Sequence, residues 1–151
     1  MHPPVHIRNY QKEDKSHLIA LLQLNVPRYF AQSEVADLEH YLDEEIEQYF
    51  VAEMADNIVG AGGINFAEGG KIAKISWDFV HPDFQRMGIG AQLLQHRLAF
   101  IKLLPEVEII SVRTSQHAFE FYQKNGFVLK EIQKDYWAPG FDMYLMLYEA
   151  I

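Results

Sequence analysis

The stretch that most limits what this 151-residue chain can fold into is ISWDFVHPDFQRMGIGAQLL, residues 75–94. Its left half alternates, with Ile75, Trp77 and Phe79 on one side of an extended chain and Ser76 and Asp78 on the other. That pattern is a strand. Pro82 ends it, because proline offers the ladder no N–H and steers His81 away from the helical region. Gly88 and Gly90 come next, and Leu93, Leu94, Leu98 and Ile101 then recur at helical spacing. A glycine turn feeding a helix leaves backbone N–H groups unpaired, with the positive end of the helix dipole behind them, and such a place suits a phosphate. Glycine lets the anion approach the backbone, and Gln85 and Arg86 add side-chain donors. A nucleoside triphosphate loop would need a lysine and a hydroxyl residue after the glycines, and a dinucleotide turn a third glycine at Leu93; the chain has neither.

The remaining elements follow from periodicity and turn chemistry. Val5 to Tyr10 reads as a strand, followed by a helix capped near Asp14 that buries Leu18, Ile19 and Leu22. Ser33 is expected to cap a second helix with Val35, Leu38, Leu42 and Ile46 as its apolar stripe. Residues 49–54 and 58–66 are strands joined at Asp56-Asn57, and with the strand before Pro82 they give three consecutive antiparallel strands. Gly60, Gly62 and Gly63 inside the second of these allow a bulge or the close approach of another group. Residues 108–113 form a short buried strand. Thr114-Ser115-Gln116 is expected to cap a helix closed by Asn125-Gly126. Strands at 127–132 and 143–148 then flank an aromatic loop, residues 135–142, which either folds onto the core or lines a pocket.

Composition excludes several classes of function. Cysteine is absent, which removes disulfides, thiolate metal sites and cysteine nucleophiles. Asp37, His40 and Glu44 share a helix face, and His2 with His6 and His117 with Glu120 are further pairs, yet none completes a ligand set, so no metal site is expected. A net charge of -8, from 13 basic and 21 acidic residues, disfavours nucleic-acid binding and favours a cationic partner. No apolar run is long enough to span a membrane, and the first residues carry no export pattern, so a cytoplasmic protein is expected. The length suits one domain over residues 1–151.

Gln85-x-x-Gly88-x-Gly90 after Val80-His81-Pro82 resembles the acetyl-CoA signature of the GNAT acyltransferase superfamily. AFEFYQKNGF, residues 118–127, resembles the same family's later helix, with its tyrosine and closing Gly-Phe. Both pieces come in the family's order and spacing. The resemblance implies an α/β (α+β) fold: a mixed, twisted sheet of about six to seven strands flanked by about four helices, splayed open beside Val80. It implies acetyl-CoA as cofactor, with the pantetheine arm along Phe79 and Val80 and the pyrophosphate on Gln85, Arg86, Met87, Gly88, Ile89 and Gly90. Ser115 stands where relatives often carry an asparagine against that arm.

The activity implied is N-acetyltransferase, moving an acetyl group directly to a primary amine of a small molecule or peptide. The alternative is a CoA-binding sensor or interaction module of the same fold without catalysis. Tyr122 corresponds to the tyrosine that gives its proton to the CoA sulfur in many relatives, a phenol being protonated at neutral pH. Asp78 is the best-placed carboxylate for a general base, and Glu53 on a neighbouring strand is weaker. In the family the link between the first two helices, with Tyr29 and Phe30, walls the acceptor site, and the aromatic loop with Tyr136, Trp137 and Phe141 lies near it. An exposed final strand leaves a homodimer open.

Overall fold

The computed structural model describes residues 3–149. Seven strands form one sheet: β1 (Val5–Asn9), β2 (Gln48–Met54), β3 (Asn57–Ala67), β4 (Ile72–Val80), β5 (Ile109–Thr114), β6 (Phe127–Ala138) and β7 (Phe141–Tyr148), in the spatial order β1-β2-β3-β4-β5-β7-β6. Every neighbouring pair is antiparallel except β4 with β5. These two are joined through α3 (Ile89–Lys102), because parallel neighbours need a crossover. Helices α1 (Lys15–Gln23) and α2 (Glu34–His40, continued by a π-helical turn at Tyr41–Glu45) cover one face. The other face carries α3 and the short α4 (Phe119–Lys124).

Each face has its own core. Leu18, Leu21, Leu22, Leu38, Tyr41 and Leu42 pack with Tyr49, Val51, Ala61 and Phe79 on the α1/α2 side. On the other, Leu93, Leu94, Leu98 and Ile101 of α3 meet Phe50, Ile64, Ile75, Val112 and Met146. Two of the glycines in β3 bring helix and sheet together. A Cβ at Gly60 would stand 3.1 Å from Leu93 and 3.2 Å from Ile89, and one at Gly62 would collide with Asp78 Oδ1 and lie 2.7 Å from Arg97 Cζ.

Several local expectations change. The β2–β3 turn is Ala55-Asp56, one residue earlier than Asp56-Asn57, and both residues have positive φ, 51° and 67°, as a two-residue hairpin turn requires. Ser33 makes no side-chain cap; the Glu34 carboxylate instead accepts the Ala31 N–H at 2.8 Å. The helix expected after Thr114-Ser115-Gln116 begins only at Phe119, since residues 115–118 form a turn in which Ser115 Oγ accepts the His117 N–H at 3.2 Å. The aromatic segment 135–142 is not a loop. It is the tip of the β6–β7 hairpin, reversing at Pro139-Gly140 where Gly140 has φ of 84°, so Tyr136 and Trp137 lie on β6 and Phe141 on β7.

The largest difference lies in β4. Its register against β3 slips between Ala61 and Gly63, and Trp77 there has φ of 47°, a conformation a bulky side chain adopts only in a distorted backbone. The extra residue inverts the alternation beyond it. Ser76 and Trp77 both face Tyr41, while Asp78 turns to the α3 side that Ile75 occupies. Asp78 therefore does not share a face with Ser76. The bulge is held from three directions: Tyr49 donates its hydroxyl to the Trp77 carbonyl at 2.8 Å, Phe30 stacks on the indole at 6.3 Å, and Tyr41 packs against it at 6.2 Å.

Candidate active site

The parallel ladder between β4 and β5 covers only residues 72–75 and 109–112. Beyond it β4 stays with β3 while Arg113 and Thr114 of β5 continue with β7, so the two strands part from Ser76 onward. A cleft of about 1450 Å³ occupies this opening. Backbone groups on the open side of β4 need partners other than a strand. One has found it: the buried Asn25 donates Nδ2 to the Val80 carbonyl at 3.3 Å and to Leu21 O at 3.2 Å, tying the end of α1 to the strand beside the opening.

Asp78 and Tyr122 both line the cleft, and the fold brings them together across 44 positions of sequence. Tyr122 donates its hydroxyl to Asp78 Oδ2, and Arg97 donates Nη2 to Asp78 Oδ1. Burial first, and then the negative charge of Asp78, push the Tyr122 phenol well above its ordinary value, with the Arg97 guanidinium opposing them. Tyr122 is thus a protonated donor throughout the neutral range, with only 2% of its surface exposed. Glu53 is elsewhere: it accepts Arg8 Nε at 2.9 Å at the β1–β2 edge of the sheet, in a cluster with Asp14.

Arg97 is a site residue the sequence reading missed. It is fully buried, lies in the apolar stripe of α3, and spends its other donors on Leu93 O at 3.1 Å and Gly63 O at 3.2 Å. The signal was present, because Arg97 stands four residues from both Leu93 and Ile101, where the stripe calls for an apolar side chain.

At the far end of β4 the loop before α3 has the form an anion needs. Arg86 and Gly88 both have positive φ, 68° and 83°, and Gly88 is the residue before α3. Among the described residues no backbone or side-chain acceptor takes the N–H groups of residues 88–91. Free amides at a helix start, beside two residues of left-handed backbone, fit a pyrophosphate. Gln85, Arg86, Gly88, Ile89 and Gly90 line the cleft, as do Phe79, Val80 and Ser115. Met87 does not; its side chain packs onto the α3-side core, which leaves only its N–H for a ligand. Ile89 is likewise buried and offers its backbone.

The opposite wall is aromatic. Phe30 lies against Trp77 and Phe79, Tyr29 meets His117 edge-on at 6.1 Å, and His117 meets Phe141 at 5.8 Å. This chain of rings joins the α1–α2 link to the β6–β7 hairpin. The hairpin is fastened by Trp137, which donates Nε1 to Thr114 O at 3.1 Å, and by Gln116, which donates to Gly140 O at 2.7 Å and accepts Asp142 N–H at 2.9 Å. Tyr136 is 44% exposed at the rim, and Glu44, Glu45 and Glu47 complete the wall. The described residues hold no group of three or more His, Cys, Asp or Glu able to bind a metal, and His2 lies outside them.

A sheet split beside a helix start with free amides, with a buried phenol in the split, is an arrangement suited to a CoA-dependent acyltransferase. Comparison with known proteins agrees: residues 11–147 match the model of an acetyltransferase (GNAT) domain. The N-alpha-acetyltransferase of Sulfurisphaera tokodaii is 31% identical over 166 aligned positions, which cover 93% of this chain and 90% of that one. Ard1 from Thermoplasma volcanium superposes with a TM-score of 0.75 at 22% identity, over 97% of this chain and 99% of the other. Naa50 of Arabidopsis thaliana, in complex with the bisubstrate analogue CoA-Ac-MVNAL, gives 0.73 at 20% identity over 97% and 99%. The chain belongs to the GNAT family of acetyltransferases, and is an acetyl-CoA-dependent N-acetyltransferase.

Proposed function

We propose that this chain, acting as one domain over its whole length, acetylates the α-amine at the start of a peptide in the opening between β4 and β5. The observation that carries the acceptor class is the state of Asp78. Both of its oxygens are engaged, one by Arg97 and one by Tyr122, so it is an orienting acceptor for the phenol rather than a base for the incoming amine. An acceptor that needs little help to lose its proton suits such a cleft. A lysine-like amine of pKa about 10.4 is neutral in roughly one molecule in 2,500 at pH 7, whereas an α-amine near 7.8 is neutral in about one in seven. The relative at 31% identity is an N-alpha-acetyltransferase, which supports the same class.

Acetyl-CoA supplies the activated acyl group when bound. The N–H groups at the start of α3, residues 88–90, would receive its pyrophosphate, and the open edge of β4 at Phe79 and Val80, where Asn25 already holds the Val80 carbonyl, would receive the amide-bearing arm, beside Ser115. Tyr122 would give its hydroxyl proton to the departing sulfur by turning it away from Asp78 Oδ2, whose hydrogen bond holds the phenol in place until then. Tyr29, Phe30, Tyr136, Trp137 and Phe141 would enclose the first residues of the peptide. The acidic rim and the chain's negative charge draw a protonated amine toward the mouth.

The test is an acceptor panel of short peptides, free amino acids and polyamines incubated with acetyl-CoA and read by mass spectrometry. Acetylation at peptide α-amines is expected. Modification of small polyamines or lysine side chains alone would overturn the acceptor class. CoA binding without any acetylated peptide would overturn it as well.

A further inference from the structure

We propose that Arg97 is a positioning residue for acetyl transfer, holding Asp78 so that the second carboxylate oxygen fixes the Tyr122 hydroxyl at the floor of the cleft. The inference rests on the reading of Tyr122 as proton donor. A guanidinium with no exposed surface is an expensive occupant of an apolar stripe, and apolar residues of similar volume commonly replace such buried ion pairs without loss of stability. Its presence among Leu93, Leu94, Leu98 and Ile101 therefore has to be explained by what it holds. Leu93 O and Gly63 O lock the planar fork on two sides, and the remaining nitrogen meets Asp78 Oδ1. Gly62 lacks the Cβ that would fill the space where guanidinium and carboxylate meet. With Oδ1 pinned, Oδ2 has one orientation, and the Tyr122 hydroxyl has one acceptor to follow.

The charge also has a use in the transfer itself. The amine nitrogen bonds to the acyl carbon as the carbon–sulfur bond breaks, and the Tyr122 hydroxyl turns from Asp78 Oδ2 and gives its proton to the sulfur. The phenolate so formed carries the negative charge until the proton lost by the new amide nitrogen restores the phenol. Beside Asp78 alone that phenolate would face a second negative charge; Arg97 supplies the counter-charge without being in the cleft.

A double-mutant cycle between Arg97 and Tyr122 tests this. R97M is expected to lower kcat about 100-fold while the KM for acetyl-CoA and the calorimetric affinity for CoA stay within about threefold of wild type. Adding R97M to Y122F is expected to cost almost nothing further, because the group that Arg97 orients is gone. In the free protein labelled with 13Cζ-tyrosine, the Tyr122 resonance, identified by its absence in Y122F, is expected to move in R97M. If Y122F keeps full turnover, the proton-donor reading itself fails. If Y122F is impaired but the two losses multiply, or the resonance stays in place, Arg97 is structural only and the proposal is overturned. Should R97M not fold, R97K, which keeps a buried charge, carries the same cycle, with a loss of about tenfold in kcat that vanishes in the Y122F background.

Discussion

Gly62→Ala is the sharpest probe of the packing beneath the cleft, because it adds one methyl and changes no charge. The new Cβ would collide with Asp78 Oδ1 and stand 2.7 Å from both Cζ and Nη1 of Arg97. Arg97 has nowhere to retreat, being fully buried and tied to Leu93 O and Gly63 O. Asp78 must therefore swing toward the cleft, where 21% of its side chain is already exposed. Breaking a buried ion pair costs about 3–5 kcal/mol, and the partial exposure of Asp78 places this case at the lower end. Gly62 does not use a left-handed backbone, so alanine fits the main chain and recovers about 0.5–1 kcal/mol through the unfolded state. The net loss is then about 2–3 kcal/mol. With an unfolding entropy of about 2.1 cal/mol/K per residue, a chain of this length loses roughly 0.3 kcal/mol per degree, and the expected fall in Tm is about 6–10 °C. Calorimetric melts of wild type, G62A, the R97M/D78N background and G62A in that background would measure it. A G62A melt within 2 °C of wild type, or an equal fall in the background that lacks the ion pair, would refute the reasoning.

Three other outcomes follow from separate parts of the fold. G90D puts a Cβ and a negative charge among the free amides of the first turn of α3, and should weaken CoA binding at least tenfold in calorimetry with little change in Tm. Q116A releases the β6–β7 hairpin from Gly140 O and Asp142 N–H, and should raise the KM for the acceptor several-fold while the affinity for CoA is unchanged. The Asp14 carboxylate is held below its ordinary value of 3.8, chiefly by Arg8 at 2.8 and 2.9 Å and also by the Gln11 N–H, against the opposing effect of burial. A depressed folded value gives stability that is complete above the unfolded value and lost as pH falls through the folded one. D14N should therefore melt several degrees below wild type at pH 7, the gap closing as pH is lowered below about 3.8 in parallel thermal scans.

The turn into α3 is legible in the sequence because it depends on local residues. Gly88 and Gly90 mark a turn into an apolar helical stripe, and Pro82 marks the end of a strand, so three neighbouring residues fix the backbone whatever packs around it. Tyr136, Trp137 and Phe141 show no two-residue alternation, so the sequence reads as a loop where the structure has a hairpin tip. Its strand character comes from contacts that sequence does not display, namely Gln116 and Thr114 gripping Gly140, Asp142 and Trp137 from across the sheet. Arg97 escaped for a related reason. A cation on a helix is ordinarily solvent-facing, and only its spacing from Leu93 and Ile101 says that this one points inward.

The parity of β4 is the more instructive failure, since the residue that defeats it also builds the site. Ile75, Trp77 and Phe79 alternate perfectly in sequence, and an undistorted strand would have put Asp78 with Ser76 on the α1/α2 side, far from Arg97 and Tyr122. The bulge at Trp77 inserts one residue, which sends the indole and Phe79 to the aromatic wall and returns Asp78 and Val80 to the α3 side. Without it the buried guanidinium of Arg97 would have no carboxylate, and the Tyr122 hydroxyl no acceptor. The positive φ at Trp77 is unfavourable in itself, by about 1–3 kcal/mol, and it persists because Tyr49, Phe30 and Tyr41 overdetermine it. The two faces of one strand are thus tied together: what packs around the indole on the acceptor side decides which way the carboxylate points on the other.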